Sequence, residues 1–171
     1  TSVTTQVRIR KATAEDAPAI TALLRTSMAQ YAEASGIPTL LDAQRESEAD
    51  VRCHIEDDLV LVAETPESID GTVRLHLEPD GTAYFSRFAV APGRRKTGIG
   101  KYLLLVAVEL LVEAGATEML LHTAIANQPL VTLYTNQGFE LIDVSYDRGY
   151  ARGLFRKVLK PKGVDKPPEE Y

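Results

Sequence analysis

The sequence predicts a mixed α/β fold of the α+β kind: a twisted, mostly antiparallel sheet of about seven strands flanked by about four helices, with one parallel pair joined by a crossover helix. Three observations carry this. Strand-like and helix-like apolar patterns alternate along the 171 residues. Three strand patterns between Leu59 and Val90 follow one another with only turn signals between them. A Gly-rich basic loop, Pro92 to Gly100, then runs directly into an amphipathic helix.

In chain order, Val7 to Arg10 reads as a short strand. Thr13-Ala14-Glu15-Asp16 has the form of a capping box with Asp in place of Glu, opening a helix with Ile20, Leu23, Leu24 and Met28 on one face. Ser35-Gly36-Ile37-Pro38 breaks it. Asp42 to about Ile55 reads as one more polar helix, and Leu59 to Ala63 as a continuous apolar strand. Asp70-Gly71 reads as a turn into a strand Thr72 to Leu77, and Pro79-Asp80-Gly81 as a turn into Ala83 to Val90, which makes an antiparallel meander.

The next helix carries Leu103, Val106, Ala107, Leu110, Leu111 and Ala114 at helical spacing. It crosses to a strand Glu118 to Thr123, parallel to Ala83–Val90 by the right-handed crossover rule. Pro129 to Gln137 is the last helix, with Gly138 at a C′ position, and Phe139–Tyr146 and Gly153–Leu159 are the closing strands. Residues 1–160 read as a single domain and 161–171, rich in Pro, Lys and Glu, as a loose tail.

Composition narrows the class. A net charge of −5 argues against general nucleic-acid binding, although cations cluster at Arg87 and Arg94 to Lys96. No apolar run reaches membrane-spanning length and no signal-peptide pattern is seen, so no membrane partner is expected. One cysteine excludes an internal disulfide framework and suits a reducing cytoplasm. The cysteine and the three histidines show no metal-ligand spacing, so no metal is expected. A homodimer is left open.

The basic loop carries the chemistry. Exposed N–H groups at a helix start, its positive dipole end and Arg/Lys nearby make an anion site suited to a pyrophosphate, with glycines letting the backbone approach. A Rossmann fingerprint needs a third glycine where Leu103 sits, and a Walker loop needs Lys-Ser/Thr where Ile99-Gly100 stand. What remains is Arg95-Lys96-Thr97-Gly98-Ile99-Gly100, an R-x-x-G-x-G segment preceded by Phe88-Ala89-Val90-Ala91-Pro92. Downstream, Asn127 to Glu140 contains Leu133-Tyr134 and Gly138-Phe139, an N-x-x-x-x-x-L-Y-x-x-x-G-F pattern after a strand. The two segments, in this order, resemble the coenzyme A loop and the second signature of the GNAT superfamily of acyl-CoA-dependent N-acetyltransferases.

The resemblance covers about residues 58–146 and implies a GNAT-type sheet whose parallel strands splay apart. It implies acetyl-CoA as cosubstrate, with Phe88, Ala89 and Val90 along the pantetheine arm and Arg95, Lys96, Thr97, Gly98, Ile99 and Gly100 around the pyrophosphate. Asn127 would contact the cofactor arm and Tyr134 would approach the sulfur. The implied reaction is direct attack of a neutral primary amine, on a small molecule or a protein, on the thioester carbonyl. Backbone donors can stabilise the resulting oxyanion. The departing thiolate needs a proton, and a phenol is a competent donor, which makes Tyr134 the candidate general acid. The competing reading of Tyr134 is core packing. A noncatalytic acyl-CoA-binding sensor on the same scaffold is the alternative function.

The acceptor side is less defined. In similar acetyltransferases the first two helices and their connection wall the acceptor pocket, which points to Tyr31, Glu33, Leu40 and Leu41, with Arg87 as a further candidate and Arg87 together with the Tyr146–Gly153 connection as the alternative location. Arg87 either meets a substrate carboxylate or pairs with an acid. The acidic run Glu46, Glu48, Asp50, Glu56, Asp57 and Asp58 is either a solvated helix face or an attractor for a cationic amine. The general base stays open among Glu64, His76, Glu78, His122 and a water chain, with a hydrogen-bonded core role as the default for His122. Cys53 beside His54 reads as a structural cysteine, since helical neighbours do not face each other.

Overall fold

The structure, a computed structural model, describes residues 6–37, 42–94 and 97–160. Its seven-stranded sheet has the order β1-β2-β3-β4-β5-β7-β6. The strands are β1 (Arg8–Lys11), β2 (Leu59–Glu64), β3 (Ile69–Leu77), β4 (Thr82–Val90), β5 (Glu118–Ala124), β6 (Glu140–Ser145) and β7 (Arg152–Val158). Every neighbouring pair is antiparallel except β4–β5. The helices are α1 (Ala17–Ala34), α2 (Asp42–Arg45), α3 (Glu48–Asp57), α4 (Ile99–Glu113) and α5 (Gln128–Asn136). The expected tail, 161–171, lies outside the described residues.

The pleat of β2 explains the two layers. Leu61 and Ala63 face a core shared with Leu103, Leu104, Ala107 and Leu111 of α4. Val60 and Val62, one residue out of phase, face a second core with Ile20 and Leu24 of α1 and Val51 of α3. A strand buried on both faces needs the continuous apolar run seen here. At the start of α1, Thr13 N–H donates to Asp16 Oδ2 at 2.7 Å, and Arg10 holds the same carboxylate at 2.8 Å. The capping box therefore forms, but on a short 3-10 turn, Ala14–Asp16, that leads into α1.

Two sequence expectations need correction. The single helix from Asp42 is broken at Glu46-Ser47. Ser47 N–H donates to Asp50 Oδ2 at 2.9 Å and Asp50 N–H to Ser47 Oγ at 3.1 Å, a second capping box that starts α3 afresh. Asp70-Gly71 is not a turn. Both residues lie inside β3, and the reversal falls at Thr65 to Ser68, where Thr65 N–H donates to the Ser68 carbonyl at 2.8 Å. A Cβ on Gly71 would stand 2.8 Å from Leu103 Cδ1, so this glycine lets α4 press onto the sheet.

The parallel pair opens like a wedge. β4 and β5 are paired only at Thr82–Glu118, Ala83–Met119 and Tyr84–Leu120, although β4 continues to Val90 and β5 to Ala124. A bulge accompanies the opening. Arg74 faces Ser86 and Thr72 faces Ala89, so Val73 alone stands opposite Arg87 and Phe88. Arg87 adopts φ +52°, the left-handed region that a residue with a Cβ avoids.

Candidate active site

The wedge leaves one edge of β4 and one edge of β5 without a strand partner. One open group is met by a side chain: Ala124 N–H donates to the Tyr31 hydroxyl of α1 at 2.7 Å, with Thr123 Oγ1 3.3 Å from the same oxygen. Two cavities adjoin the wedge and share Met28, Tyr31, Phe88 and Leu130 as a common wall. The first, about 480 Å3, runs from the wedge to the start of α4. The second, about 200 Å3, lies between the diverging strands.

The first cavity gathers much of the expected cofactor set: Phe88, Val90, Gly98, Gly100 and Asn127 line it. Gly98 is the α4 N-cap at φ +87°, and the first helical bond runs from Tyr102 N–H to the Gly98 carbonyl. The N–H groups of Ile99, Gly100 and Lys101 therefore precede the ladder and face outward for an anion. The side chains of Ile99 and Ala89 are buried in the two cores, so only their backbone is available. Thr97 Oγ1 donates to the Arg94 carbonyl at 2.6 Å and closes the loop. Arg95 and Lys96 lie outside the described residues. Asn127 caps α5 by accepting from Leu130 N–H and donates to Ser35 Oγ at 3.3 Å, tying α5 to the end of α1. Lys101, a lining cation the sequence reading missed, follows Gly100 directly.

Tyr134 lines the second cavity. It is 3% exposed, and its ring packs against Phe85, Phe88, Phe139 and Phe155 at centroid distances of 5.8–6.3 Å. Burial, with a smaller push from the Tyr31 phenol, raises its pKa well above the ordinary 10.0. The packing and catalytic readings are thus compatible: the aromatic cage fixes a phenol that stays protonated.

Of the expected acceptor residues, Tyr31 and Arg87 line this cavity. Glu33 is exposed on α1 and lines neither cavity, and Leu40 and Leu41 lie outside the described residues. Arg87 Nη2 reaches Glu46 at 3.5 Å, while Arg74 holds both oxygens of that carboxylate at 2.9 Å. Arg87 therefore pairs with an acid and lines the cavity at once. Arg148 and Tyr150, from the loop between β6 and β7, and Arg152, the first residue of β7, complete the wall, which falls on the Tyr146–Gly153 connection that the sequence offers as the alternative location with Arg87. No motif marks the individual residues; the hairpin brings them opposite α1.

His122 corrects an expectation. Its side chain is open to solvent on one side and packed into the second cavity on the other, and it makes no hydrogen bond to a described residue, so it is not a hydrogen-bonded core histidine. Burial and the adjacent Arg152 and Arg148 lower its pKa below the ordinary 6.5, against weaker pulls from Asp147 and Asp143. The other base candidates sit elsewhere: Glu64 on Arg10, and His76 between Asp58 and Glu78. Cys53 is exposed on α3 and lines neither cavity. From the acidic run, Glu46 pairs with Arg74, Asp58 with His54 and His76, and Asp50 caps α3; none lines the cavity. Among the described residues, no group of three or more His, Cys, Asp or Glu is placed to hold a metal, and no helix is long and apolar enough to cross a membrane.

The family model described as Acetyltransferase (GNAT) family matches residues 21–139. No curated protein matches the chain. Among solved structures, the PaiA N-acetyltransferase of Thermoplasma acidophilum, in complex with coenzyme A, superposes with a TM-score of 0.79 at 22% identity, covering 90% of this chain and 99% of that one. The ribosomal-protein-S18-alanine N-acetyltransferase of Escherichia coli gives 0.74 at 16% identity, covering 94% and 98%. The yncA protein of Salmonella typhimurium, with its cofactor acetyl-CoA, gives 0.74 at 16% identity, covering 97% and 99%. At these identities the likeness is one of fold.

Proposed function

The chain belongs to the acetyltransferase (GNAT) family, and from that premise we propose that it is an N-acetyltransferase moving an acetyl group from acetyl-CoA to a primary amine of a small molecule or protein. One observation carries the reading: the two cavities meet in the β4–β5 wedge, and the buried phenol of Tyr134 lines it.

The first cavity suits coenzyme A by its donor set. The outward N–H groups of Ile99, Gly100 and Lys101 and the α4 dipole favour a pyrophosphate, and the unpaired β4 edge through Phe88 and Val90 can pair with amides of the pantetheine arm. Acetyl-CoA supplies an acetyl thioester, whose C–S bond is exchanged for an N–C bond to the amine with release of the free thiol. Tyr134 donates a hydrogen bond, then its proton, to the departing sulfur. Burial makes this phenol a weaker acid than in water, but the same desolvation raises the proton affinity of a thiolate beside it. His122, held below its ordinary pKa and therefore neutral at pH 7, takes the proton that the attacking nitrogen loses.

The test is thiol release by the purified full chain with acetyl-CoA and a panel of primary amines, with product mass as confirmation. Acetylated product supports the reading. Acetyl-CoA binding without turnover on any amine, peptide N-terminus or lysine identifies a noncatalytic binder and overturns it.

A further inference from the structure

The second cavity has a charge of one sign. Arg87, Arg148 and Arg152 line it beside the neutral His122, and no carboxylate among the described residues does. Glu46, the nearest acid paired to one of these cations, already accepts two bonds from Arg74. Arg87 Nε is buried without a hydrogen-bond partner. The Arg152 guanidinium makes no hydrogen bond or ion pair with any described residue, and burial together with Arg148 pushes its pKa down against weaker pulls from Tyr150 and Asp147. Two guanidinium groups brought together in a half-buried cavity repel, and an anion between them removes that cost.

Resting on the function proposed above, we propose that the acceptor is a small amine that also carries an anionic group, a carboxylate or a phosphate, which Arg152 holds with help from Arg148 and Arg87. The planar guanidinium forks suit two-oxygen groups of this kind. The anion anchors at the β7 end while the amine reaches toward His122 and Tyr134. A cavity of about 200 Å3 limits the acceptor to roughly amino-acid size. A polycationic amine meets three arginines and is disfavoured. The coenzyme A phosphates do not account for these cations, because the N–H groups at the start of α4 open onto the other cavity.

The test uses matched pairs: phenylalanine against phenethylamine, phosphoethanolamine against ethanolamine, with spermidine as the polycation. Thiol release gives acceptor kcat/KM, and calorimetry with unacetylated coenzyme A present gives acceptor Kd. At least one anionic member exceeds its partner by about tenfold or more in either readout, the scale of a charged hydrogen bond. The favoured pair tells carboxylate from phosphate. Arg152→Gln brings that ratio to within about twofold and leaves acetyl-CoA affinity unchanged. Preference for spermidine or for the partners that lack the anionic group overturns the inference, as does an Arg152→Gln effect on acetyl-CoA as large as on the acceptor. Arg152-dependent binding of an anionic amine without acetyl transfer keeps this site and removes the proposed reaction instead.

Discussion

The Tyr31 hydroxyl accepts the backbone N–H of Ala124 at 2.7 Å, replacing the strand partner that β5 loses where β4 turns away. A helix side chain thereby satisfies one open group of the sheet edge and fixes α1 against the second cavity. Tyr31→Phe strands that N–H and is expected to cost roughly 1–3 kcal/mol, read by urea denaturation. Because Tyr31 lines both cavities, acceptor KM and acetyl-CoA Kd should both rise.

Glu46 is a second fixing point. Burial pushes its carboxyl up, but the paired bonds from Arg74 and the charge of Arg87 win and hold it below the ordinary 4.5. A depressed carboxylate contributes stability above its unfolded value and loses it as pH falls through the lower folded value. Glu46→Ala leaves Arg74 buried without its counter-ion, and the expected loss at neutral pH is roughly 3–5 kcal/mol. Between about pH 5 and pH 3, stability of the parent should fall more steeply than that of Glu46→Gln, measured by denaturant titration at each pH.

The anion site at α4 is tested by Gly100→Asp. The new Cβ would stand 3.1 Å from Phe88 Cζ, and the substitution adds a negative charge to the first turn of α4. Acetyl-CoA affinity should fall by about 100-fold or more, since like charges brought together cost several kcal/mol. Calorimetry on protein with a parental far-UV spectrum checks this; unchanged affinity contradicts the loop assignment.

His122 gives a pH signature. With its pKa depressed by burial, Arg152 and Arg148, the acid limb of kcat/KM should lie below pH 6.5. His122→Gln should lower kcat/KM by roughly 100-fold or more and flatten that limb. A parental profile in the variant leaves the proton to water.

The legible parts of this protein are those written in contiguous residues. Gly98-Ile99-Gly100 between a strand and a helix, and Leu133-Tyr134 before Gly138-Phe139, each record local backbone geometry. The β2-β3-β4-β5 order followed from a meander and one crossover, whereas the place of β1 beside β2 and of β7 between β5 and β6 did not. Asp70-Gly71 misled because the dipeptide marks turns, whereas Gly71 answers to the closeness of Leu103, a residue far along the chain. The Ser47–Asp50 capping box was readable but lay inside an apparently continuous helical pattern. Arg148 and Arg152 were legible only as members of the Tyr146–Gly153 connection, the alternative location for the acceptor pocket. Their meaning comes from facing α1 across the wedge, a relation that exists only once β7 has paired with β5.

The central claim, that the buried phenol in the wedge supplies the proton to the departing sulfur, is tested most directly by Tyr134→Phe with an identified acceptor. The ring and its aromatic contacts remain, so fold and acetyl-CoA affinity should be kept. The account predicts a kcat about 10²- to 10⁴-fold below the parent. A kcat within about twofold of the parent, with chemistry shown to limit the rate, contradicts it.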